Sequence, residues 1–221
     1  MSTTATSQAT VCLNLPYYDH RRADKARVLV DASTWAVLGH RHWVVLTDKD
    51  TGGDSYVVSG PDLQHPRYLH REAHFMRHGA IGEGKVVDHR NRVRTDCTLA
   101  NLRACTRSQN SCNRDKPQKR KGGPSTSRWK GVWRKKPRVL KSGKPGTDAK
   151  PWVCEVAVKG QKQKHTSTHA TELEAALKYN EIASEWMGDY ANLNPVPQPA
   201  SPPPGASSVA ADLLAIAGGR P

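Results

Sequence analysis

Apolar residues along this chain come in short bursts rather than long runs. Between Val28 and Val58 the bursts are β-branched and aromatic: VLV at 28–30, WVVL at 43–46 and YVV at 56–58. Turn-forming residues separate them, notably DKDTGGD at 48–54, which predicts a small antiparallel sheet. Upstream, residues 1–27 read as a polar tail and a turn-rich piece around Pro16. Downstream, Tyr68-Leu69 is a further strand candidate, and HREAHFMRHGA, with no Gly or Pro before Gly79, suits a helix. Val86-Val87 reads as a strand and Asn101-Leu102-Arg103 as the start of its return. Thr106 and Gln109, three apart, predict a capped short helix from about Arg107.

The second half carries a different pattern. DKPQKRKGGPSTSR at 115–128 has linker composition, with a reach of about 14 residues. RWKGVWRKK at 128–136, PWVCEVAVKG at 151–160 and KQKHTST at 162–168 read as three strands, the last two turning at Lys159-Gly160. Thr171 and Glu174 form another capping pair. Ala175, Tyr179, Ile182 and Trp186 then recur at helical spacing, and Gly188 is placed to end that helix. The Pro/Ala-rich stretch after Asn194 cannot pack a core and is expected to be disordered, with VAADLLAIA at 209–217 at most a marginal helix. The expected fold class is α+β: two small sheet-and-helix units and a tail.

Composition narrows the function. No apolar run approaches the ~18 residues of a membrane span. No basic start followed by an apolar stretch marks a secretory signal. The five cysteines are scattered, odd in number and without a CxxC pair, which argues for reduced thiols and against a disulfide framework or a cysteine zinc site. An intracellular, soluble protein is expected. Residues 115–170 hold 16 Lys+Arg against 3 acids, a net of +13 within a total of +14. A block of that kind attracts a polyanion, and the interleaving of basic residues with Trp129, Trp133 and Trp152 favours nucleic acid over a plain solvated linker.

The segment VVDHRNRVRTDCTLANLRACTRSQNSCNR, residues 86–114, carries the chemistry. A strand delivers a carboxylate and an imidazole, Asp88 and His89, to its end, and Asn110 sits in the first turn of the helix that follows. An imidazole accepts a proton near neutral pH, while carboxylate and amide oxygens are hard ligands suited to Mg²⁺. The elements VDH, NLR and TRSQNxxNR resemble the HNH endonucleases, the ββα-metal or His-Me finger nucleases of phages and mobile introns. The intervals of 12 residues from His89 to Asn101 and 9 from Asn101 to Asn110 match the homing type. The resemblance implies that His89 is the general base and that Asn101 braces the loop to orient it. It also implies that Asp88 and Asn110 hold one Mg²⁺ or Mn²⁺ per active site, at a formal +1 with the single carboxylate. Arg103 and Asn113 would support the centre, as would His70 and Arg71 of YLHREAH, which resembles an element preceding VDH in that family. His70, His74 and His78 share a helical face, but no carboxylate or cysteine completes a zinc set with them.

The second unit resembles the ethylene-response-factor DNA-binding domain through SRWKGV at 127–132, PWVCEV at 151–156 and residues 171–194. That resemblance implies a sheet laid on DNA, with Lys130, Arg134, Lys135, Trp152, Lys162 and Lys164 as contacts, although Trp152 serves equally well as packing. Trp133 and Ala157 stand where relatives place groove-reading arginines, so phosphate binding is expected rather than base readout. The implied organisation is a polar segment (1–27), a nuclease domain (28–114), a basic linker (115–127), a DNA-binding domain (128–194) and a tail (195–221). The implied function is a metal-dependent endonuclease that nicks double-stranded DNA without membrane involvement. It would act as a monomer or DNA-assembled dimer, in the host cytoplasm of a phage or mobile element. The alternative is a non-catalytic DNA-binding regulator, which needs only the second domain.

Overall fold

The computed structural model describes residues 9–197 apart from 20, 49–52, 61–64, 117–118, 121–122, 125, 138, 140–145 and 159–163. Lys162, the Lys159-Gly160 turn, the 209–217 segment and nearly all of the tail lie outside the described residues.

The chain starts earlier than its hydrophobic bursts suggest. β1 (Thr10–Pro16) pairs along its whole length with β2 (Lys25–Asp31), inside the segment expected to be a polar opening. Val11, Leu13 and Leu15 alternate with polar neighbours and are half-buried, the period of a strand with one covered face. A two-turn helix, α1 (Ala32–Leu38), follows and buries Thr34 and Leu38, one turn apart. β3 (Val44–Thr47), β4 (Asp54–Ser59) and β5 (Arg67–Tyr68) then form an antiparallel sheet, whereas VLV at 28–30, expected to join it, lies in β2 and pairs with β1 instead. Val28, Trp43, Val45, Val57, Leu69 and Cys97 fill the core between these elements.

α2 (Leu69–His78) leads to the hairpin of β6 (Lys85–His89) and β7 (Leu102–Thr106), followed by α3 (Arg107–Asn113). Thr106 caps α3 through a full reciprocal box. Its hydroxyl accepts from the Gln109 amide at 3.2 Å, and the Gln109 side chain accepts from the Thr106 amide at 2.9 Å. The loop between β6 and β7 docks on β2. Leu29 donates to the Thr95 carbonyl at 2.9 Å, Cys97 donates to the Leu29 carbonyl at 2.8 Å, and the Leu99 amide donates to the buried Asp31 carboxylate at 2.7 Å. The N-terminal hairpin thus holds the loop that begins at His89.

After the short pair β8 (Lys119–Arg120) and β9 (Gly123–Pro124) come β10 (Val132–Arg134), β11 (Trp152–Ala157) and β12 (Lys164–His169), an antiparallel sheet in chain order. α4 (Glu172–Met187) covers it, packing Ala175, Tyr179, Ile182 and Ala183 on Val132, Cys154 and Val156. The Thr171 hydroxyl caps α4 by accepting from the Glu174 amide at 3.1 Å. Glu174 reaches one residue further back than a reciprocal box requires and accepts from Ala170. β10 is shorter than the 128–136 run because Trp129 turns into the core and the Lys130 amide donates to Asn194. A 3₁₀ turn, Gly188–Tyr190, follows α4.

The two units are docked. Lys116, at the start of the supposed linker, donates to the Ser127 and Trp129 carbonyls, both at 2.6 Å. Lys130 donates to the carbonyls of Cys112 and Arg114 at the end of α3, at 2.6 and 2.7 Å. The expectation of a long free reach between the units gives way to a seam of hydrogen bonds. All five cysteines are free thiols and four are buried. Burial pushes Cys105 and Cys154 up to about 11, which keeps them protonated and unreactive.

Gly131 is the tightest point of the second unit. Its φ is +70°, and a Cβ there would sit 2.1 Å from the Tyr179 ring and 2.7 Å from the Glu155 carbonyl. Gly131→Ala is predicted to cost about 2–5 kcal/mol through left-handed strain and overpacking together. Gly82→Ala, whose nearest neighbour is a lysine stem at 3.7 Å, should be close to neutral. Urea unfolding followed by circular dichroism measures both.

Candidate active site

β6 is buried from Val87 to His89 because it lies between α2 on one side and α3 on the other. Strand alternation turns Asp88 and His89 to opposite faces. Register pairs Asp88 with Arg103 and His89 with Leu102. The Arg103 guanidinium therefore lies directly across from the Asp88 carboxylate, donating through Nε at 3.0 Å and Nη2 at 2.8 Å to Oδ2. Asn113, at the end of α3, donates to both Asp88 oxygens at 3.2 and 3.0 Å. It also donates to the His89 carbonyl at 2.9 Å, so it ties α3 to the end of β6.

His89 is 5% exposed and its Nε2 finds no hydrogen-bond partner among the described residues. Burial pushes its pKa down to about 4, against the opposing pull of Asp88 and Asp96, so the ring is neutral at neutral pH. The His70 ring lies 4.9 Å from it, centroid to centroid, and Tyr56 lies 5.2 Å from His70. His70 is buried as well and pushed down to about 3, first by desolvation and then by His89. Arg71 is exposed and stacks at 5.0 Å on Tyr68, whose ring lies 5.7 Å from His70 and 5.6 Å from Tyr56 at the edge of this cluster. His74 and His78 contact each other at 4.8 Å.

Asn101 is the staple of the β6–β7 loop. Its Oδ1 accepts from the Asn91 amide at 2.9 Å, and its Nδ2 donates to the Asp96 carbonyl at 2.8 Å. Asp96 in turn accepts from the Thr98 amide and hydroxyl and from the Asn91 side chain. Arg92, in this loop, has φ +66°, a left-handed conformation held by the hydrogen bond that its backbone N–H donates to the His89 carbonyl at 2.9 Å.

Asp88, His89, Asn110 and Asn113 line one cleft, whereas Asn101, the residue that sets both motif intervals, lies outside its lining. Tyr56, Arg92, Arg94, Arg114 and Asp115 share that cleft and were not among the sequence candidates. The basic run RNRVR at 90–94 was the only sequence signal for the first two arginines. Tyr56 arrives from a strand more than 30 residues away, which no local pattern announces. Arg92 is paired with Asp115 at 2.9 Å and Arg94 with Asp48 at 2.8 Å.

Among the described residues no three His, Cys, Asp or Glu side chains converge as a metal cluster. The Asp88 and Asn110 pair is a different donor set, one carboxylate and one amide on the same cleft, and it fits a hard divalent cation. Oδ2 of Asp88 is saturated by Arg103 and Asn113, but Oδ1 accepts only the 3.2 Å contact and retains a lone pair. The formal +1 expected from one ion and one carboxylate needs revision, since Arg103 already neutralises Asp88.

The DNA-contact candidates of the second unit do not share one surface. Register sets Arg134, Trp152 and His169 on the helix-covered side of the sheet, while Trp133, Glu155 and Lys164 lie on the other. Trp152 packs at the edge of the core with Arg134 5.8 Å above its ring. Lys135 is engaged by Asp148 at 3.1 Å and Lys164 by Glu155 at 3.2 Å. Lys130 is committed to the seam with α3, and the desolvation there lowers its pKa.

No curated protein and no solved structure matches the chain. A family model does: residues 67–112, from β5 through α2 and the hairpin to α3, match the HNH endonucleases. Nucleases of that family generally use a divalent metal. Residues 67–112, which supply six of the ten residues lining the cleft, thus match an HNH endonuclease domain, and that match supports a nuclease at the family level with DNA as the implied substrate.

Proposed function

We propose that the chain is a metal-dependent DNA endonuclease that nicks one strand per catalytic event, with its second unit gripping the duplex. The observation that carries this reading is the convergence of Asp88, His89 and Asn110 on one cleft within the matched domain. His89 takes the proton of the attacking water. Burial supports that role by keeping the ring neutral. Asn101 holds the loop that leaves His89, and Asn113 holds the strand end itself, so the imidazole meets the substrate in a fixed orientation. Asp88 and Asn110 would hold a Mg²⁺ or Mn²⁺ ion, whose chemistry when bound is Lewis-acid stabilisation of charge developing on the phosphate. Arg92, Arg94 and Arg114 give the cleft the positive lining that a phosphodiester backbone requires. One such centre per chain supports nicking, with a double-strand break requiring two chains or two events. The residue intervals support a homing-type nuclease of a phage or mobile intron.

The net +13 of residues 115–170 supports DNA binding by the second unit. Six of the 16 basic residues of that segment (Lys121, Arg138, Lys141, Lys144, Lys159 and Lys162) lie outside the described residues. Arg134 and Lys164 are the exposed candidates on the sheet.

On supercoiled plasmid with Mg²⁺, wild type should yield open circles. His89→Ala should lower the rate by about 10²–10⁴-fold with gel-shift affinity retained, and a chelator should stop both. Equal nicking by the variant would remove His89 from the mechanism. Binding titrated against salt tests the anchor. Lys164→Ala, on the sheet face that α4 leaves open, should lower the log K versus log salt slope by about 1. Lys130→Ala should leave that slope unchanged and weaken the seam instead, seen as a lower melting temperature.

A further inference from the structure

The segment after α4 reaches into the nuclease centre at two points. Arg103, which holds Asp88 with Nε and Nη2, uses its remaining Nη1 to donate to the main-chain carbonyl of Asp189 at 2.7 Å. The Tyr190 ring lies under the same guanidinium, 4.1 Å from its carbon. One turn along, Asn192 donates to Asp115 Oδ1 at 2.9 Å, and Asp115 pairs with Arg92 in the cleft. A tethered anchor has no need of such contacts.

We infer that the second unit is a structural part of the nuclease centre, with Tyr190 as a positioning residue that fixes Arg103 and through it Asp88. The physical argument is one of orientation. A guanidinium bonded only to Asp88 could rotate about the long arginine side chain and carry the carboxylate with it. Here its plane is set three ways: by the carboxylate, by the Asp189 carbonyl, and by the face of an aromatic ring, whose negative quadrupole favours the cation. Gly188, at φ +52°, lets the chain reverse directly after α4 and present Asp189 and Tyr190 to Arg103. The effect on cleavage rests on the nuclease reading above, whereas the coupling of Tyr190 to Arg103 does not.

The test uses the full-length chain with Tyr190→Leu, which keeps bulk but removes the π face, and Tyr190→Phe, which keeps both. The first readout is the NMR signal of the Arg103 Nε–H, identified by its loss in Arg103→Lys, and its exchange with water. The second is plasmid nicking, with gel-shift affinity and melting temperature alongside. Expected is fast Nε–H exchange in Tyr190→Leu with a fall in nicking of roughly 10–100-fold at unchanged DNA affinity, and wild-type behaviour in Tyr190→Phe. An Arg103 signal unmoved by Tyr190→Leu would overturn the proposal whatever happened to cleavage. So would Tyr190→Phe behaving like Tyr190→Leu, since the ring face would then not be what holds the guanidinium. If exchange responds as expected but wild type cuts no DNA, the coupling stands and the nuclease reading is what fails.

Discussion

The buried ion pair between Asp88 and Arg103 is the interaction on which the rest of this structure turns. Both side chains are 7% exposed, so neither charge is hydrated as it would be at the surface. Removing one member of such a pair typically costs about 3–5 kcal/mol, because the other is left buried and uncompensated. The pair spans β6 and β7, Asn113 ties it to α3, and the Asp189 carbonyl and Tyr190 ring tie it to the second unit. Four separate pieces of chain thus share one electrostatic centre. His89 is not part of the pair, yet its position depends on it, being the next residue along the same strand.

A second network holds the other end of the cleft. Asn101, Asp96 and Asn91 close the β6–β7 loop upon itself, and β2 receives that loop through Leu29 and Asp31. The N-terminal hairpin therefore acts on the site without contributing a side chain to it. This division is physically sensible: a surface loop is fixed by its pairing to the scaffold beside it, because its own short segment buries too little to hold a shape.

Legibility in the sequence followed the range of the interactions. The ββα unit, the capping of α3 by Thr106 and Gln109, and the helix opened by Thr171 are local patterns, and each appears where the spacing put it. β1 was equally local, since Val11, Leu13 and Leu15 alternate, but polar neighbours and Pro16 masked a strand whose exposed face is genuinely polar. α1 has only two turns and no side-chain cap, so it sends almost no periodic signal. What could not be read was which polar group meets which. Asn113, noted only as support, holds the Asp88 carboxylate, while Asn110 lines the cleft beside it. Lys130 resembles a DNA contact in its motif, yet it donates to α3. The first outcome depends on how α3 packs on β6 and the second on how the two units pack, and no local pattern carries either.

The centre's charge balance follows from the same pair. Asp88 alone would offer a divalent cation one negative charge, but with Arg103 bonded to it the pair is formally neutral. Arg92, Arg94 and Arg114 add positive charge around the cleft, offset in part by Asp48 and Asp115. Such a cleft attracts a phosphodiester more strongly than it attracts a free cation. In the proposed nuclease the negative charge that a divalent ion needs would be supplied largely by the DNA itself, polynucleotide and ion completing each other's site. In that reading, as phosphoryl transfer added a further negative charge, the surplus of arginine around Asp88 would become favourable, which is the condition for stabilising the transition state more than the ground state.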